Sequence, residues 1–166
     1  MITLVLGGAR SGKSAIAEAI AARSGVAVTY LATTTVRGDV ELADRVARHR
    51  ARRPENWRTL EVERDLSGVL SASEGVVLVD SLGAWVAGVV PSDGEVAALL
   101  DALTARRGDT VVVSDEVGLG VHPSSALGRE FRDALGDVNR RVAAISDDVV
   151  LVVAGMVLPL VKFDAP

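Results

Sequence analysis

A glycine-rich segment near the start of the chain has the residue types and spacing that bind phosphate groups. Residues 7–14 read GGARSGKS, the pattern G-x-x-x-x-G-K-S, and they lie between the apolar run 2–6 and the alanine-rich segment 15–22. Between a strand and a helix, the backbone N–H groups of such a loop surround phosphate oxygens, and the helix directs its positive dipole end at the same anion. The segment therefore predicts a P-loop.

Two side chains of this loop have distinct expected roles. Lys13 is expected to reach the terminal phosphates of a nucleoside triphosphate, and the Ser14 hydroxyl to help hold Mg²⁺. Only two of the 18 Lys and Arg residues are lysines, and one of the two occupies the position where the motif requires lysine. The predicted phosphate-binding residues are Gly7, Gly8, Ala9, Arg10, Ser11, Gly12, Lys13 and Ser14.

Strands and helices alternate along the rest of the chain. Apolar, β-branched runs occupy residues 2–6, 26–31, 57–62, 76–79, 110–113 and 149–153, with helical patterns between most of them. Alternation of this kind predicts a mostly parallel sheet with helices on both faces and with ligands at the carboxyl ends of its strands. We predict one α/β domain over residues 1–166, a P-loop NTPase of the RecA-like kind.

The later part of the chain predicts three helices and an edge strand. The segment 81–90 is apolar around Trp85, residues 95–106 are amphipathic, and residues 125–145 give the longest helix. Residues 155–161 are expected to add to the edge of the sheet. His122 lies beside a proline and has no motif support, so we interpret it as a loop residue.

Composition restricts the class of protein. The chain has 166 residues, enough for one domain with a full core, and no apolar run approaches the roughly 18–20 residues of a membrane span. The absence of cysteine excludes disulfides and thiolate metal sites. The net charge of −4 argues against nucleic acid as a partner, and the first residues lack a basic leader. We expect a cytoplasmic enzyme or nucleotide-binding protein.

A carboxylate follows the run 76–79. The sequence VVLVD over residues 76–80 has the form of a Walker B element, and we expect its strand to lie beside the first strand, with Asp80 near Ser14 and Mg²⁺. Alternatively, Asp80 is an ordinary turn residue or an N-cap, and Ser81 could also cap the next helix.

Polar residues also follow other strands. Ala32, Thr33 and Thr34 close the second strand, where hydroxyls could contact phosphate or base, or could form a turn that caps the next helix. Glu61 could face solvent or accept hydrogen bonds from a sugar or base. In the segment 114–120, two acids and two glycines could supply a general base and a mobile loop, or form an ordinary acidic turn.

Residues 39–53 predict a helix that contains a histidine. His49 shares the spacing of Leu42 and Val46, which is typical of a core position. Arginines surround it at Arg48, Arg50, Arg52 and Arg53. They could be a solvated helix end or a polyphosphate clamp. Neighbouring cations disfavour imidazolium, which would leave a neutral nitrogen able to act as a nucleophile.

Taken in order, these motifs resemble the adenosylcobinamide kinase/adenosylcobinamide-phosphate guanylyltransferase family of cobalamin biosynthesis. The matching segments are GGARSGKS at 7–14, YLAT at 30–33, RHRARRPENWRT at 48–59, VLVD at 77–80, EVGLG at 116–120 and REFRDALGDVNRR at 129–141. The resemblance covers nearly the whole chain, and its central part, H-R-x-x-R-P-x-x-W-x-T, is far more specific than the P-loop. Two positions depart from the pattern, since Arg48 replaces a second histidine and Asp115 stands where asparagine is expected.

The resemblance implies two reactions at one enzyme. ATP or GTP phosphorylates adenosylcobinamide, and GMP then passes from GTP to that phosphate through a guanylyl-histidine that matches His49. The implied guanosine-nucleotide contacts are residues 7–14, Ala32, Thr33, Thr34, Arg50, Ala51, Arg52, Arg53, Glu61 and Asp80. Ser14 and Asp80 would be the Mg²⁺ ligands. The resemblance also implies a homo-oligomer, a homotrimer.

Overall fold

A seven-stranded sheet forms the centre of the computed structural model, which describes residues 1–33 and 53–163. Its strands are β1 (Ile2–Gly7), β2 (Val28–Ala32), β3 (Arg58–Glu61), β4 (Val76–Asp80), β5 (Thr110–Asp115), β6 (Asp148–Val153) and β7 (Met156–Leu160). Their order across the sheet is β3-β2-β4-β5-β1-β6-β7. All neighbours pair in parallel except β7, which runs antiparallel to β6 at the edge. The predicted parallel sheet and edge addition are confirmed.

Helices cover both faces of this sheet. They are α1 (Lys13–Ala22), α2 (Leu66–Ala72), α3 (Leu82–Val89), α4 (Asp93–Ala105) and α5 (Ala126–Ile145). Alternate strand side chains point to opposite faces, so Val77 and Val79 of β4 pack with α2 to α5, whereas Val76 and Leu78 pack on the side of α1. Strands buried on both faces are apolar at nearly every position. No helix in the two described ranges is long and apolar enough to cross a bilayer.

Serine residues cap the N-termini of three of the helices. The Ser81 Oγ accepts a hydrogen bond from the Ala84 N–H at 3.2 Å, which confirms the predicted cap of α3. Ser92 and Glu95 form a reciprocal capping box at α4, and Ser125 caps α5. Helix α2 was not predicted, and the helix expected over residues 39–53 lies almost wholly outside the described residues.

One expectation about strand order is wrong. Strand β4 does not lie beside β1, because β5 pairs with both of them. Asp80 is therefore two strand spacings, about 10 Å, from the strand that ends in Gly7. Instead, Asp115 at the end of β5 lies opposite Gly7. Strands β1, β4 and β5 are almost equally apolar, so their hydrophobicity cannot distinguish which of them are neighbours.

Arg106 joins three elements at the amino end of the sheet. Its Nη1 donates to the carbonyl of Leu70 at 2.9 Å and to that of Ser73, and its Nη2 donates to the carbonyl of Gly75 at 2.6 Å. Its Nε donates to the Thr110 Oγ1 at 2.9 Å. Partial burial lowers the pKa of this guanidinium from its ordinary value. The side chain thus satisfies carbonyls at the end of α2 and connects them to β5.

We expect Arg106→Met to destabilise the fold. The variant loses the hydrogen bonds from the guanidinium to the carbonyls, and water can satisfy these carbonyls only in part. We expect the loss to lower the free energy of unfolding by about 2 kcal/mol. For a domain of this size, that loss lowers the melting temperature by roughly 4–8 °C. Calorimetry measures the shift. Arg107→Met, at an exposed neighbouring position, is the control, and equal melting temperatures for the two variants would contradict this role.

Candidate functional site

The predicted P-loop connects β1 to α1 at the carboxyl edge of the sheet. Gly12 precedes α1 with φ of 95°, a conformation that glycine adopts without strain. A Cβ on Gly7 would approach the Ser11 Oγ to 2.5 Å and the Val152 carbonyl oxygen to 2.9 Å, so this position also requires glycine. The Ser11 carbonyl accepts a hydrogen bond from the Gly155 N–H at 2.8 Å. The loop is therefore anchored to the turn between β6 and β7.

Lys13 is folded back onto its own loop. Its Nζ donates to the Gly8 carbonyl at 3.1 Å and lies 2.8 Å from the Oδ1 of Asp115. The pairing follows from the β1–β5 register, which places Gly7 opposite Asp115. The lysine predicted to bind phosphate is thus paired with a carboxylate whose role the sequence left open.

Asp115 is itself held from several sides. Its main-chain carbonyl accepts a hydrogen bond from the Asn139 Nδ2 at 3.0 Å, and the Asn139 Oδ1 accepts one from the Ser114 Oγ at 2.6 Å. Its Oδ2 lies 3.5 Å from the Ser81 Oγ. Sequence analysis missed Asn139, although the position falls on the buried stripe of α5 between Val138 and Val142. A polar residue on such a stripe is the signal that could have identified it.

A second cluster surrounds Asp80 at the ends of β2 and β4. The buried Tyr30 hydroxyl donates to the Asp80 Oδ2 at 2.5 Å. Burial, and then the Asp80 charge, raise the pKa of this phenol, so it stays protonated as a donor. The Arg53 guanidinium lies 3.3 Å from the centre of the Tyr30 ring, and its Nη1 donates to the Thr59 Oγ1 at 3.0 Å. The cluster connects the predicted metal ligand to the predicted arginine clamp.

The Thr33 side chain joins two strand ends. It is buried, and its Oγ1 donates to the Ser81 carbonyl at 2.6 Å and accepts from the Ser81 N–H at 2.8 Å. Both bonds are internal, so the hydroxyl connects the end of β2 to the start of α3. Its contact with a nucleotide stays a prediction.

The structure brings most of the predicted residues to one edge of the sheet. The register aligns Ala32 with Asp80 on one side and with the exposed Glu61 on the other. The phosphate-binding loop lies at the end of β1 on the same edge, with Ser14 in the first turn of α1. Thr34, His49, Arg50, Ala51 and Arg52 lie outside the described residues. The described part thus contains the predicted phosphate-binding loop and, about two strands away, the cluster around Asp80.

Solved structures support the fold. The flagellar accessory protein FlaH from Methanocaldococcus jannaschii aligns with 94% of this chain and 74% of its own, at 11% identity and a TM-score of 0.53. An ATPase of a type III secretion system aligns with 90% of this chain and 50% of its own, at 12% identity and a TM-score of 0.58. The predicted α/β P-loop NTPase fold is confirmed.

Two bacterial proteins share more sequence identity with this chain than these solved structures do. The bifunctional adenosylcobalamin biosynthesis protein CobP of Pseudomonas aeruginosa is 43% identical, over 96% of this chain and 97% of its own. The protein of the same description called CobU in Escherichia coli is 36% identical, over 94% of this chain and 97% of its own. The family of cobinamide kinase / cobinamide phosphate guanyltransferase matches residues 3–160. With these matches over nearly its full length, the chain belongs to that family and is a bifunctional kinase and guanylyltransferase of cobalamin biosynthesis.

Proposed function

We propose that this enzyme phosphorylates adenosylcobinamide with ATP or GTP and then transfers GMP from GTP to that phosphate, through a guanylyl group on His49. The product is adenosylcobinamide-GDP. The observation that carries the proposal is the P-loop at the end of β1, with the Lys13 ammonium turned onto it. Thr33, the residue after which the segment containing His49 begins, lies at the same sheet edge. A cytoplasmic location, where ATP and GTP are supplied, belongs to the same proposal.

The position of His49 in the chain supports its role. Its segment begins after Thr33, at the carboxyl end of β2, and ends before Arg53, whose guanidinium stacks on the Tyr30 ring. Four peptide units keep the Cα of His49 within about 14 Å of the Cα of Arg53. Nucleotidyl transfer requires a nucleophile within reach of a bound triphosphate, which this connection would allow.

Both transfers balance with these groups. In the kinase step, the substrate hydroxyl oxygen attacks the γ-phosphorus, its proton is released to water, and the nucleoside diphosphate leaves. In the second reaction, an imidazole nitrogen of His49 attacks the α-phosphorus of GTP, an N–P bond forms and pyrophosphate leaves. An oxygen of the adenosylcobinamide phosphate then attacks the same phosphorus, and cleavage of the N–P bond restores the histidine. Covalent catalysis thus divides a transfer between two polyanions into two easier steps.

The P-loop, Lys13 and the arginines around His49 would neutralise the phosphates in these steps. Ser14 and Asp80 offer a hydroxyl and a carboxylate oxygen, the donor type that Mg²⁺ prefers, and two protein ligands with substrate phosphates suffice for this ion. Bound Mg²⁺ would offset phosphate charge and orient the triphosphate. Among the described residues, no group of three or more His, Cys, Asp or Glu side chains could hold a metal ion.

We expect His49→Ala to abolish covalent labelling. Incubation of the wild-type enzyme with α-labelled GTP and Mg²⁺ should give an acid-labile label that maps to His49. The variant should lose the label and GMP transfer, yet keep measurable phosphorylation of cobinamide, since the P-loop is intact. His122→Ala, at the only other histidine, should keep the label. Equal loss of both activities in His49→Ala would contradict separate roles, and an unlabelled wild type would leave only the kinase.

We expect Tyr30→Phe to weaken the use of Mg²⁺. The variant loses the hydroxyl that donates to Asp80 and so removes the fixed orientation of that carboxylate. Loss of such a supporting hydrogen bond should raise the Mg²⁺ concentration for half-maximal kinase activity roughly tenfold, with a smaller effect at saturating Mg²⁺. Ser146→Ala deletes a buried hydroxyl whose donor bond goes to the Val142 carbonyl, and it serves as the control. An unchanged Mg²⁺ dependence in folded Tyr30→Phe would remove Asp80 from the metal side.

The homotrimer implied by the family resemblance also belongs to this proposal. Strand β7 and the residues after it expose apolar side chains, namely Met156, Val157, Leu158, Leu160, Val161 and Phe163. Contacts between copies would remove this surface from water. Light scattering should give three times the 17.2 kDa of one chain, and Leu158→Asp should lower that mass. Val26→Asp, exposed before β2, is the control, and a monomeric wild type would contradict the assembly.

A further inference from the structure

The ion pair between Lys13 and Asp115 occupies the group that a P-loop uses to bind phosphate. The two atoms are 2.8 Å apart, and the side chains are 13% and 33% exposed, so water screens the pair only in part. The Lys13 Nζ also donates to the Gly8 carbonyl, which belongs to the loop itself. A triphosphate that takes up Lys13 therefore has to compete with Asp115.

Asp115 is held in this position independently of Lys13. Its backbone is fixed by the β1–β5 register and by the Asn139 amide. Its carboxylate lies against Gly83, where an added Cβ would come within 2.1 Å of the Oδ2. The missing side chain at position 83 thus provides the space that the carboxylate fills. This packing keeps the negative charge beside the phosphate cradle when Lys13 moves.

We propose that Asp115 is an internal anionic competitor, which holds Lys13 in the nucleotide-free enzyme and is displaced from it by the terminal phosphates of a nucleoside triphosphate. Asp115 thereby sets the affinity of the cradle for triphosphates. This inference rests on the proposed binding of triphosphate at the P-loop.

Two electrostatic terms act in the same direction. Binding breaks the ion pair of the free enzyme, and it brings a polyanion close to a fixed carboxylate. Coulomb repulsion between like charges a few ångströms apart is substantial in a partly buried site, where the effective dielectric constant is lower than in water. Neutralising Asp115 removes both terms. A positioning carboxylate or a general base would behave differently, because its loss would lower turnover without improving binding.

The test compares Asp115→Asn with the wild-type enzyme by isothermal titration with inorganic triphosphate and with a non-hydrolysable GTP analogue. Asparagine has nearly the same size, so it fits against Gly83. We expect both ligands to bind about tenfold more tightly to the variant. Asp109→Asn is the control of equal charge change, since Asp109 pairs with the N-terminal amine at the opposite end of β5, about 20 Å away. Its affinity should equal that of the wild type.

The two lysines of the chain allow a direct readout. In protein labelled with ¹⁵N-lysine, the ammonium signals of Lys13 and Lys162 are the only two, and Lys162, which donates to the Ala144 carbonyl, is the internal reference. We expect Asp115→Asn in the free enzyme, and inorganic triphosphate in the wild type, each to shift the Lys13 signal and not that of Lys162. Asp115→Ser serves for both measurements where the asparagine variant does not fold.

The outcomes separate the two proposals. A wild-type enzyme that binds neither ligand would overturn the proposed function along with this inference. A wild type that binds triphosphate, together with unchanged or weaker binding by Asp115→Asn, would overturn the inference alone. A Lys13 signal that Asp115→Asn leaves unchanged would also overturn it, because the ion pair would then be absent in solution.

Discussion

The parallel ladder between β1 and β5 determines where the charged groups of the site lie. Its register pairs Leu4 with Val112 and, at the carboxyl end, Gly7 with Asp115. Both strands are buried on both faces, and a slip of one residue would exchange the side chains that pack on the two sides of the sheet. Close packing of these valines and leucines against different helices therefore favours one register, and that register places a carboxylate beside Lys13, the predicted phosphate-binding lysine.

Two of the carboxylates at the carboxyl edge have different supports. Asp115 lies beside the P-loop, and its main-chain carbonyl accepts a hydrogen bond from the Asn139 amide. Asp80 lies two strands away, and its carboxylate accepts a hydrogen bond from the Tyr30 hydroxyl. The Arg53 guanidinium stacks on the ring of Tyr30, the residue whose hydroxyl donates to Asp80. A movement of Arg53 towards a phosphate would therefore change the surroundings of the Tyr30 ring, and through its hydroxyl those of the Asp80 carboxylate. This contact connects the predicted arginine clamp to the predicted metal side.

The fold could be predicted from the sequence because its signals are local. Apolar runs predicted the strands with small shifts at their ends, and the amphipathic segment 95–106 and the long segment 125–145 predicted the later helices. The neighbours of β4 could not be predicted, because several strands are equally apolar. The seven-residue α2 was missed since its segment, LSGVLSA, contains a glycine and three serines or alanines with weak periodicity. Residues of the P-loop were identifiable from spacing alone, whereas the partners of Lys13 and Asp80 depend on strand order, which no spacing encodes.

A competitor inside the cradle suits an enzyme that must empty its site repeatedly. In the proposed reactions, guanylyl transfer from GTP would leave pyrophosphate and phosphoryl transfer would leave a nucleoside diphosphate, and both products keep phosphates that Lys13 would bind. Affinity that is the same for substrate, product and transition state does not raise turnover once the site is saturated. If Asp115 recaptures Lys13 as proposed, it weakens the binding of every such anion by a similar factor. Substrates then bind more weakly, and products leave faster. Product release can limit the turnover of an enzyme whose chemical steps are fast.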